Sequence, residues 1–334
     1  MPPVTIQEVA RHAGVSAATV SNFFNWPDRL STRMAERVRA AVDELGFVPN
    51  MPARQLRTSR SGMLGLSVIN ASNPFFAEIV VAVEEAAVEK NLSVMVGSTH
   101  ESPQQQRQYL RMFEQFRFDG IILTPFDDNL QQAHEIAARG TPVVLVDRTD
   151  DERLLPSVGT DHETGGYLAA RHLIEQGCRR LCFVSGSQQV QQIVRRQRGY
   201  QKAVDEADDV SLEVLEFPDL DVELGREAGR EIADRAPADR PDGVFGGNDL
   251  QAIGIVAELV DAGVDVPGEV AVIGYDDIVF AATTARPLTS IRQPSREIGA
   301  AAAQMLFDRL LSPDKPAQQQ LFQPELQVRV STRR

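Results

Sequence analysis

The sequence has few cysteines and no long apolar run. Its only two cysteines, Cys178 and Cys182, lie four residues apart around the start of a strand-like segment. A zinc site needs more ligands than this pair supplies, so we interpret both as buried structural thiols and predict no metal site. No segment reaches the roughly 18 apolar residues of a membrane span, and the N-terminus shows no secretory signal pattern. We therefore expect a cytoplasmic protein with no membrane partner.

Motifs of catalytic and cofactor sites are also missing. The sequence contains no G-x-G-x-x-G after the first strand-like segment, no P-loop and no G-x-S-x-G. The five histidines are scattered, and His162 and His172 fall ten residues apart on or near one helix. This spacing favours surface or hydrogen-bonded core positions over a metal pair. The pattern argues against an enzyme and predicts no cofactor.

Positive charge is scarce overall but is unevenly distributed. The chain of 334 residues carries a net charge of −13. Residues 1–60 hold eight arginines, no lysine and five carboxylates, which gives +3 and leaves −16 for the remaining 274 residues. An arginine-bearing N-terminal segment on an acidic body fits local phosphate contact, although a solvated basic surface would look the same.

Residues 5–25, TIQEVARHAGVSAATVSNFFN, have the spacing of two short helices joined by a turn. Thr5 and Glu8 form a capping-box pattern, and Ser16 is placed to cap the second helix. Gly14 supplies the positive φ that a sharp turn needs. The pattern is typical of a helix-turn-helix, whose second helix reads the DNA major groove. The alternative is a small helical hairpin that packs on a larger domain.

A third helix is predicted at about residues 32–45, followed by a linker-like segment at residues 47–61. Asn50 is placed to cap a short helix there, with Ala53 and Leu56 on one face. Such a helix is too short to persist alone in water, so we expect it to order only against a partner helix or DNA.

From residue 63 the pattern changes to alternating apolar strands and amphipathic helices. Strand-like runs lie at residues 64–70, 92–97, 120–124, 142–147, 180–186, 212–217, 243–248 and 270–276. Nearly all-apolar strands that alternate with helices predict an α/β fold with doubly wound parallel sheets, in which ligands bind at the carboxyl ends of strands.

Polar residues beside aromatic rings follow several of these strands. They are Asn73, Phe75, Phe76, Asp147, Arg148, Asn248, Asp249, Asp276 and Asp277. Carboxylates, amides and arginine next to rings suit a neutral polyhydroxylated molecule. Each position also has a simpler interpretation, because Asn and Asp often cap the next helix and either phenylalanine would fit a core.

Ordered motifs along nearly the whole chain resemble the LacI/GalR family of bacterial transcription regulators. The first is T-I-x-x-V-A-x-x-A-G-V-S-x-x-T-V-S at residues 5–21, followed by RVRAAVDELGFVPN and the hinge pattern A-R-x-L at residues 53–56. R-x-x-G-Y starts at Arg196, N-D-x-x-A-x-G at Asn248, and a V-P-x-x-V-x-V-x-G-Y-D-D run ends at Asp277. The tail motif L-T-S-I-x-Q-P-x-x-x-I-G begins at Leu288.

The resemblance implies a helix-turn-helix head (1–46), a linker with a hinge helix (47–61) and an effector-binding and dimerisation body (62–334). The body would contain two periplasmic-binding-protein-like subdomains, at about 62–159 with 291–320 and at about 160–288 with 321–334. It also implies a homodimer on a pseudo-palindromic double-stranded DNA operator and a small-molecule effector.

The resemblance also assigns DNA-binding positions to this chain. Ala17, Ala18 and Asn22 match base-reading positions, and Thr19 and Ser21 match phosphate or base contacts. Paired hinge helices in the family press a leucine into the minor groove, a role that Leu56 would take. The full predicted set is Thr5, Ser16, Ala17, Ala18, Thr19, Ser21, Asn22, Asn25, Asn50, Ala53, Arg54 and Leu56. Because the two alanines offer only methyl contacts, operator reading should depend on Asn22 and on DNA shape.

The body is similar to periplasmic ribose-binding proteins at the pentose site. The matching residues are Asn73, Phe75, Phe76, Asp147, Arg148, Arg196, Asn248, Asp276 and Gln293, and Leu220 stands where an aromatic residue is expected. We therefore predict a repressor controlled by a small sugar, with a pentose favoured. The alternatives are a nucleoside, a hexose or disaccharide, or a phosphocarrier protein as corepressor, and, from other classes, a sugar-binding protein without DNA function or a sugar-modifying enzyme.

Overall fold

The structure, a computed structural model, describes residues 4–26, 29–48, 61–126 and 129–334. The chain divides into two compact units, Met1–Ser61 and Gly62–Arg334. The predicted hinge residues Asn50, Ala53, Arg54 and Leu56 lie outside the described residues, so their role stays a prediction. In the part of the chain that the structure describes, no helix has both the length and the apolar character needed to cross a bilayer.

The described part of the first unit contains three helices, α1 (Ile6–Ala13), α2 (Ala17–Asn25) and α3 (Thr32–Leu45). Val9, Val20 and Val38 are fully buried where the three helices meet. Gly46 ends α3 in the left-handed conformation, at φ 60°. All three helices agree with the sequence prediction, and the small size of this core implies marginal stability for the unit by itself.

Two six-stranded sheets form the described core of the second unit. The first sheet contains β1 (Met63–Val68), β2 (Ser93–Ser98), β3 (Gly120–Leu123), β4 (Val143–Val146), β5 (Ser157–Thr160) and β11 (Gln319–Phe322). The second contains β6 (Arg180–Ser185), β7 (Ser211–Glu216), β8 (Gly243–Gly246), β9 (Ala271–Asp276), β10 (Thr289–Arg292) and β12 (Glu325–Gln327). The described strand pairs are parallel except β10 with β12.

Helices cover both faces of each sheet. They are α4 (Pro74–Glu89), α5 (Pro103–Gln115), α6 (Gln131–Ala138), α7 (His162–Glu175), α8 (Gln191–Asp205), α9 (Val222–Ala233), α10 (Asp249–Asp261) and α11 (Ser295–Leu311). α4 and α11 pack on one face of the first sheet, and α5 and α6 pack on the other. α7 and α8 cover one face of the second sheet, opposite α9 and α10. This arrangement confirms the predicted α/β fold class.

The strand order runs β11-β5-β4-β3-β1-β2 in the first sheet and β12-β10-β9-β8-β6-β7 in the second. In the first sheet, β2 lies on one side of β1 and the later strands lie on the other, so the strand order reverses at β1. In the second sheet, the strand order reverses in the same way at β6. Doubly wound sheets bind ligands at the carboxyl ends of strands near such a reversal. The same ends therefore locate the candidate ligand site.

The chain passes between the sheets after Thr160, after Arg292 and after Phe322. β10 lies in the second sheet and β11 in the first, whereas the expected subdomain limits at residues 291 and 320 fall inside these strands. Strand pairing continues to Arg292 in β10 and to Phe322 in β11.

Both cysteines are free and buried, as the sequence indicated. Burial raises the pKa of the Cys178 thiol to about 11, so it stays protonated at neutral pH. Burial raises the pKa of Cys182 further. The pair contributes to the packing of the second sheet.

Candidate functional site

Thr5 and Glu8 form the predicted capping box at the start of α1. The Thr5 backbone nitrogen donates to Glu8 Oε2 at 2.7 Å, and the Glu8 backbone nitrogen donates to Thr5 Oγ1 at 3.3 Å. These bonds satisfy donors that the first helical turn leaves unpaired. The start of α1 is therefore fixed by its own sequence.

The turn between α1 and α2 is held from both sides. Gly14 has φ 63°, in the left-handed region that a side chain would strain. Ser16 caps α2 by accepting a hydrogen bond from the Thr19 backbone nitrogen at 3.1 Å. The Arg37 guanidinium on α3 donates to the carbonyl oxygen of Ala13 at 2.6 Å. The third helix thereby braces the turn that orients α2.

The start of α2 presents the predicted base-reading residues to solvent. Ala17 and Ala18 are exposed, and Asn22 is half-buried. Ser21 is 8% exposed, and its phosphate or base contact stays a prediction. Of the other predicted positions, Thr5 and Ser16 are exposed, Thr19 is half-buried, and the side chain of Asn25 lies outside the described ones.

Polar residues that follow strands of both sheets meet in one cleft of the second unit. Eight of the ten predicted effector residues line it, namely Asn73, Phe75, Phe76, Asp147, Arg196, Leu220, Asn248 and Asp276. The free space is about 60 Å³. Small-ligand sites commonly span about 300–1,000 Å³. The side chains that line the cleft therefore occupy most of its space.

Asp147, which follows β4 of the first sheet, is bonded to residues of the second sheet's helices. Its Oδ1 lies 2.9 Å from His162 Nε2, and its Oδ2 accepts a hydrogen bond from Gln192 Nε2 at 3.2 Å. Burial lowers the pKa of His162, partly offset by Asp147, and this favours a neutral ring. These contacts join the two halves of the cleft.

Asp276, the last residue of β9 in the second sheet, is hydrogen-bonded to a residue that follows a strand of the first sheet. Asn73 Nδ2 donates to its Oδ2 at 3.3 Å and Gln293 Nε2 donates to its Oδ1 at 2.8 Å, while Arg196 lies 3.9 Å away. Burial raises the pKa of Asp276 to about 6, although Arg196, Gln293 and Asn73 favour the charged form. The buried carboxyl group therefore holds its proton more tightly than an ordinary aspartic acid does.

The Arg196 guanidinium is held in a fixed plane at the base of the cleft. Its Nη1 donates to the Gly247 carbonyl oxygen at 2.6 Å and its Nε points to His162 Nδ1 at 3.4 Å. The guanidinium carbon lies 3.7 Å from the ring centre of Tyr275, a cation–π distance. A planar donor oriented in this way suits the oxygens of a polar ligand.

Two predicted effector residues do not line the cleft. Gln293 supports Asp276 from behind and lines a neighbouring surface pocket. Arg148 lines a larger cavity of about 720 Å³ together with Arg195 and Asp150. The left-handed backbone of Asp147, at φ 59°, turns the chain between Asp147 and Arg148 and sends the two side chains to different cavities.

The smaller cleft is the better candidate for the ligand-binding site, although the neighbouring cavity is larger. Charged groups of the larger cavity already serve structural contacts. Asp150, for example, accepts hydrogen bonds from the Leu154 and Leu155 backbone nitrogens and lies 3.1 Å from His134. The cleft instead gathers buried polar side chains from both sheets at strand carboxyl ends.

Five residues that line or support the cleft were not predicted, namely His162, Tyr275, Gln192, Glu101 and Asp219. His162 is buried and hydrogen-bonded, as expected for a histidine in the protein core. Its hydrogen bond to Asp147 also fixes the position of that carboxylate in the cleft. Glu101 follows β2, so extending the strand-end rule to β2 would have found it. Asp249 and Asp277 make structural contacts other than the helix caps considered from the sequence, because Asp249 accepts from the Ile278 backbone nitrogen and Asp277 pairs with Arg329.

Among the described residues, no group of three or more His, Cys, Asp or Glu side chains is arranged to hold a metal ion.

Comparisons with known proteins agree with this division into two units. A profile described as "Bacterial regulatory proteins, lacI family" matches residues 5–50, and one described as "Periplasmic binding protein-like domain" matches residues 170–332. The chain is 34% identical over 334 residues to the HTH-type transcriptional repressor PurR of Photobacterium profundum, covering 98% of each chain.

Two solved structures are similar to the chain. A lac repressor dimer bound to operator and the anti-inducer ONPF shares 25% identity with a TM-score of 0.84, covering 99% of both chains. A regulator from Enterococcus faecium with bound ribose shares 26% identity with a TM-score of 0.72, covering 81% of this chain and 98% of the other.

Proposed function

The chain belongs to the LacI family of bacterial regulatory proteins and is a DNA-binding transcriptional repressor, and we propose that a small sugar bound between its two sheets controls its affinity for DNA. The observation that carries the proposal is the cleft network. Asn73, after the first strand of the first sheet, donates a hydrogen bond to Asp276 of the second sheet. Asp147, also from the first sheet, is hydrogen-bonded to His162 and Gln192 on helices that cover the second sheet. A ligand that replaces these bonds changes how the two sheets are held.

A pentose is the favoured effector. Phe75 and Phe76 provide apolar cover, while Asp147, Arg196 and Asp276 offer acceptors and donors for hydroxyl groups. The ribose-bound regulator supports a pentose by similarity. Leu220 supplies apolar cover without a stacking face, so the ligand need not present a flat ring there.

The small volume of the cleft connects binding to movement. A pentose does not fit into about 60 Å³, so its entry must displace side chains or separate the sheets. We propose that this movement changes how two protomers of a homodimer meet on a pseudo-palindromic operator, as the dimeric lac repressor structure suggests. Coupling of this kind is typically about 1–3 kcal/mol.

A thermal-shift panel of pentoses, hexoses, disaccharides and nucleosides tests the ligand site. A true ligand at about 100 times its Kd should stabilise the protein by roughly 2.7 kcal/mol. Asp276→Asn and Arg196→Ala should abolish that shift, because each removes a buried partner that faces the ligand. Asp151→Ala, at an exposed position of the neighbouring cavity, should preserve it.

Two results would contradict the proposed site. Either Asp276→Asn or Arg196→Ala retains the full shift while folded, or Asp151→Ala loses it. If a nucleoside or disaccharide alone stabilises the protein through Asp276, the cleft stands and the pentose assignment is wrong.

A further inference from the structure

The cleft has more acidic than basic side chains. Glu101, Asp147, Asp219 and Asp276 all line it, and Arg196 is the basic residue among its described lining. His162 does not balance them, since burial lowers its pKa. Asp147 and Asp276 are buried, and Glu101 and Asp219 are half-buried. Carboxylates withdrawn from water without matching positive charge take up protons or bind cations. The charge of the cleft therefore favours a polar ligand that also carries a positive charge.

Glu101 and Asp219 approach the cleft from opposite sheets. Glu101 follows β2 of the first sheet, and Asp219 follows β7 of the second. Burial, and then the charge of Asp219, raises the pKa of Glu101 to about 8. The backbone of Glu101 is also left-handed, at φ 57°, a conformation that is costly for a residue with a side chain.

An unsatisfied acceptor in the same cleft points independently to a donor on the ligand. Gln192 is 3% exposed, and its Oε1 has no hydrogen-bond partner among the described residues, while its Nε2 donates a hydrogen bond to Asp147. The amide nitrogens of Asn73 and Asn248 are also engaged, with Asp276 and with the Leu220 carbonyl oxygen. The cleft thus offers acceptors whose donors must come from the ligand.

We propose that the cleft selects a polyhydroxylated ligand that carries a protonated amine, such as an amino or imino sugar, and that Glu101 and Asp219 hold its ammonium group. This inference rests on the proposed function, which places the effector in the cleft. An ammonium group donates charge-assisted hydrogen bonds to both carboxylates and replaces the proton that otherwise separates them. Leu220, next to Asp219, gives this wall of the cleft an apolar side chain without a stacking ring.

Two pairs of ligands that differ only in the amine provide the test with the full-length protein. Imino-D-ribitol and anhydro-D-ribitol have the same pentose-sized ring, with a protonated nitrogen or an oxygen in it, and D-glucosamine and D-glucose form a larger pair. In calorimetric titrations at neutral pH, the amine of at least one pair should bind about tenfold or more tightly than its partner. Glu101→Gln should remove this preference, so that the amine and its neutral partner bind with similar affinity. Glu84→Gln, an exposed position on α4, should leave both affinities unchanged.

Proton release gives a second readout that general loss of structure would not mimic. Because Glu101 is largely protonated in the free cleft, amine binding should release about one proton per ligand, and Glu101→Gln should abolish the release. Titrations in buffers of different ionisation enthalpy measure it.

The possible outcomes separate this inference from the proposed function. If neutral sugars bind through Asp276 as tightly as their amines, or if Glu101→Gln retains the amine preference, the amine inference is wrong and the sugar site stands. If none of the four compounds binds and the wider sugar panel also fails, both proposals are wrong.

Discussion

Glu101 combines a left-handed backbone with a carboxyl group that the fold prefers to keep protonated. Its pKa rises from an ordinary 4.5 to about 8, chiefly through burial and then through Asp219 and Asp221. The folded state therefore holds this proton more tightly than the unfolded state does. The resulting stabilisation is complete below 4.5 and is lost as the pH rises through about 8.

Glu101→Gln should remove this pH dependence. Between pH 4.5 and about 8, the melting temperature of the wild-type protein should fall relative to that of the variant, because only the wild type must ionise a buried carboxyl group. Differential scanning calorimetry across this range measures the difference, with Glu84→Gln as the control. Parallel pH profiles for Glu101→Gln and wild type would contradict the assignment.

The cleft also shows which site residues a sequence can predict. Asn73, Asp147 and Asp276 follow apolar strands, so the rule that ligands meet strand carboxyl ends found them. His162 opens a helix instead, and only the fold brings it to Asp147. Arg148 was placed in the cleft by resemblance, but the left-handed backbone of Asp147 directs it to the neighbouring cavity. Backbone handedness at a single non-glycine residue leaves no clear pattern in the sequence.

At the scale of elements, the predicted apolar strands are present, whereas β5, β10, β11 and β12 were not recognised as strands. β10 contains Thr289 and Ser290, both fully buried. Their hydroxyls are satisfied by distant partners, since Thr289 Oγ1 lies 2.7 Å from Thr332 Oγ1 and Ser290 donates to Asp249 at 2.6 Å. Hydrophobic periodicity detects local patterns only, so it misses polar strands that long-range hydrogen bonds stabilise.

Helices α9 and α10 cross closely because the glycines at their contact have no side chains to keep the two backbones apart. A Cβ added to Gly254 on α10 would collide with the Val222 carbonyl oxygen, and one on Gly225 would collide with the Gln251 carbonyl oxygen. Gly263, just after α10, has open space around it but φ +79°. Close helix packing therefore requires Gly225 and Gly254, whereas the left-handed backbone favours a glycine at position 263.

Gly254→Ala should destabilise the protein by about 3 kcal/mol, because backbone atoms at the crossing cannot move aside without repacking. Gly263→Ala should cost only about 1 kcal/mol, the strain of a left-handed alanine. Urea unfolding midpoints compare the two variants. Equal losses would show that the α9–α10 crossing is less tightly packed than the structure indicates.

Helix α2 leads with two exposed alanines, so its base discrimination should rest on Asn22. Asn22→Ala should weaken binding to the cognate operator by about 1–3 kcal/mol. Binding to unrelated DNA of equal length should stay unchanged, because phosphate contacts carry no sequence information. Fluorescence anisotropy with both DNAs measures the ratio. An equal loss on both DNAs would instead assign Asn22 to the phosphate backbone.

At the scale of the whole molecule, the positive charge of residues 1–60 contrasts with the −16 of the rest of the chain. This distribution favours DNA contact through the first unit, since the acidic body is repelled by phosphates. The second unit holds the candidate effector cleft, with hydrogen bonds that join its two sheets. In the function that we propose, the first unit reads the DNA and the second unit binds the ligand.

The central claim is that a ligand in the cleft changes the affinity for DNA. The direct measurement is the affinity for DNA from upstream of the protein's own gene, with and without the sugar that gives the largest thermal shift. The account predicts a change of about 5–150-fold for the wild type and none for Asp276→Asn. A sugar that binds through Asp276 yet leaves the affinity for DNA unchanged would contradict it.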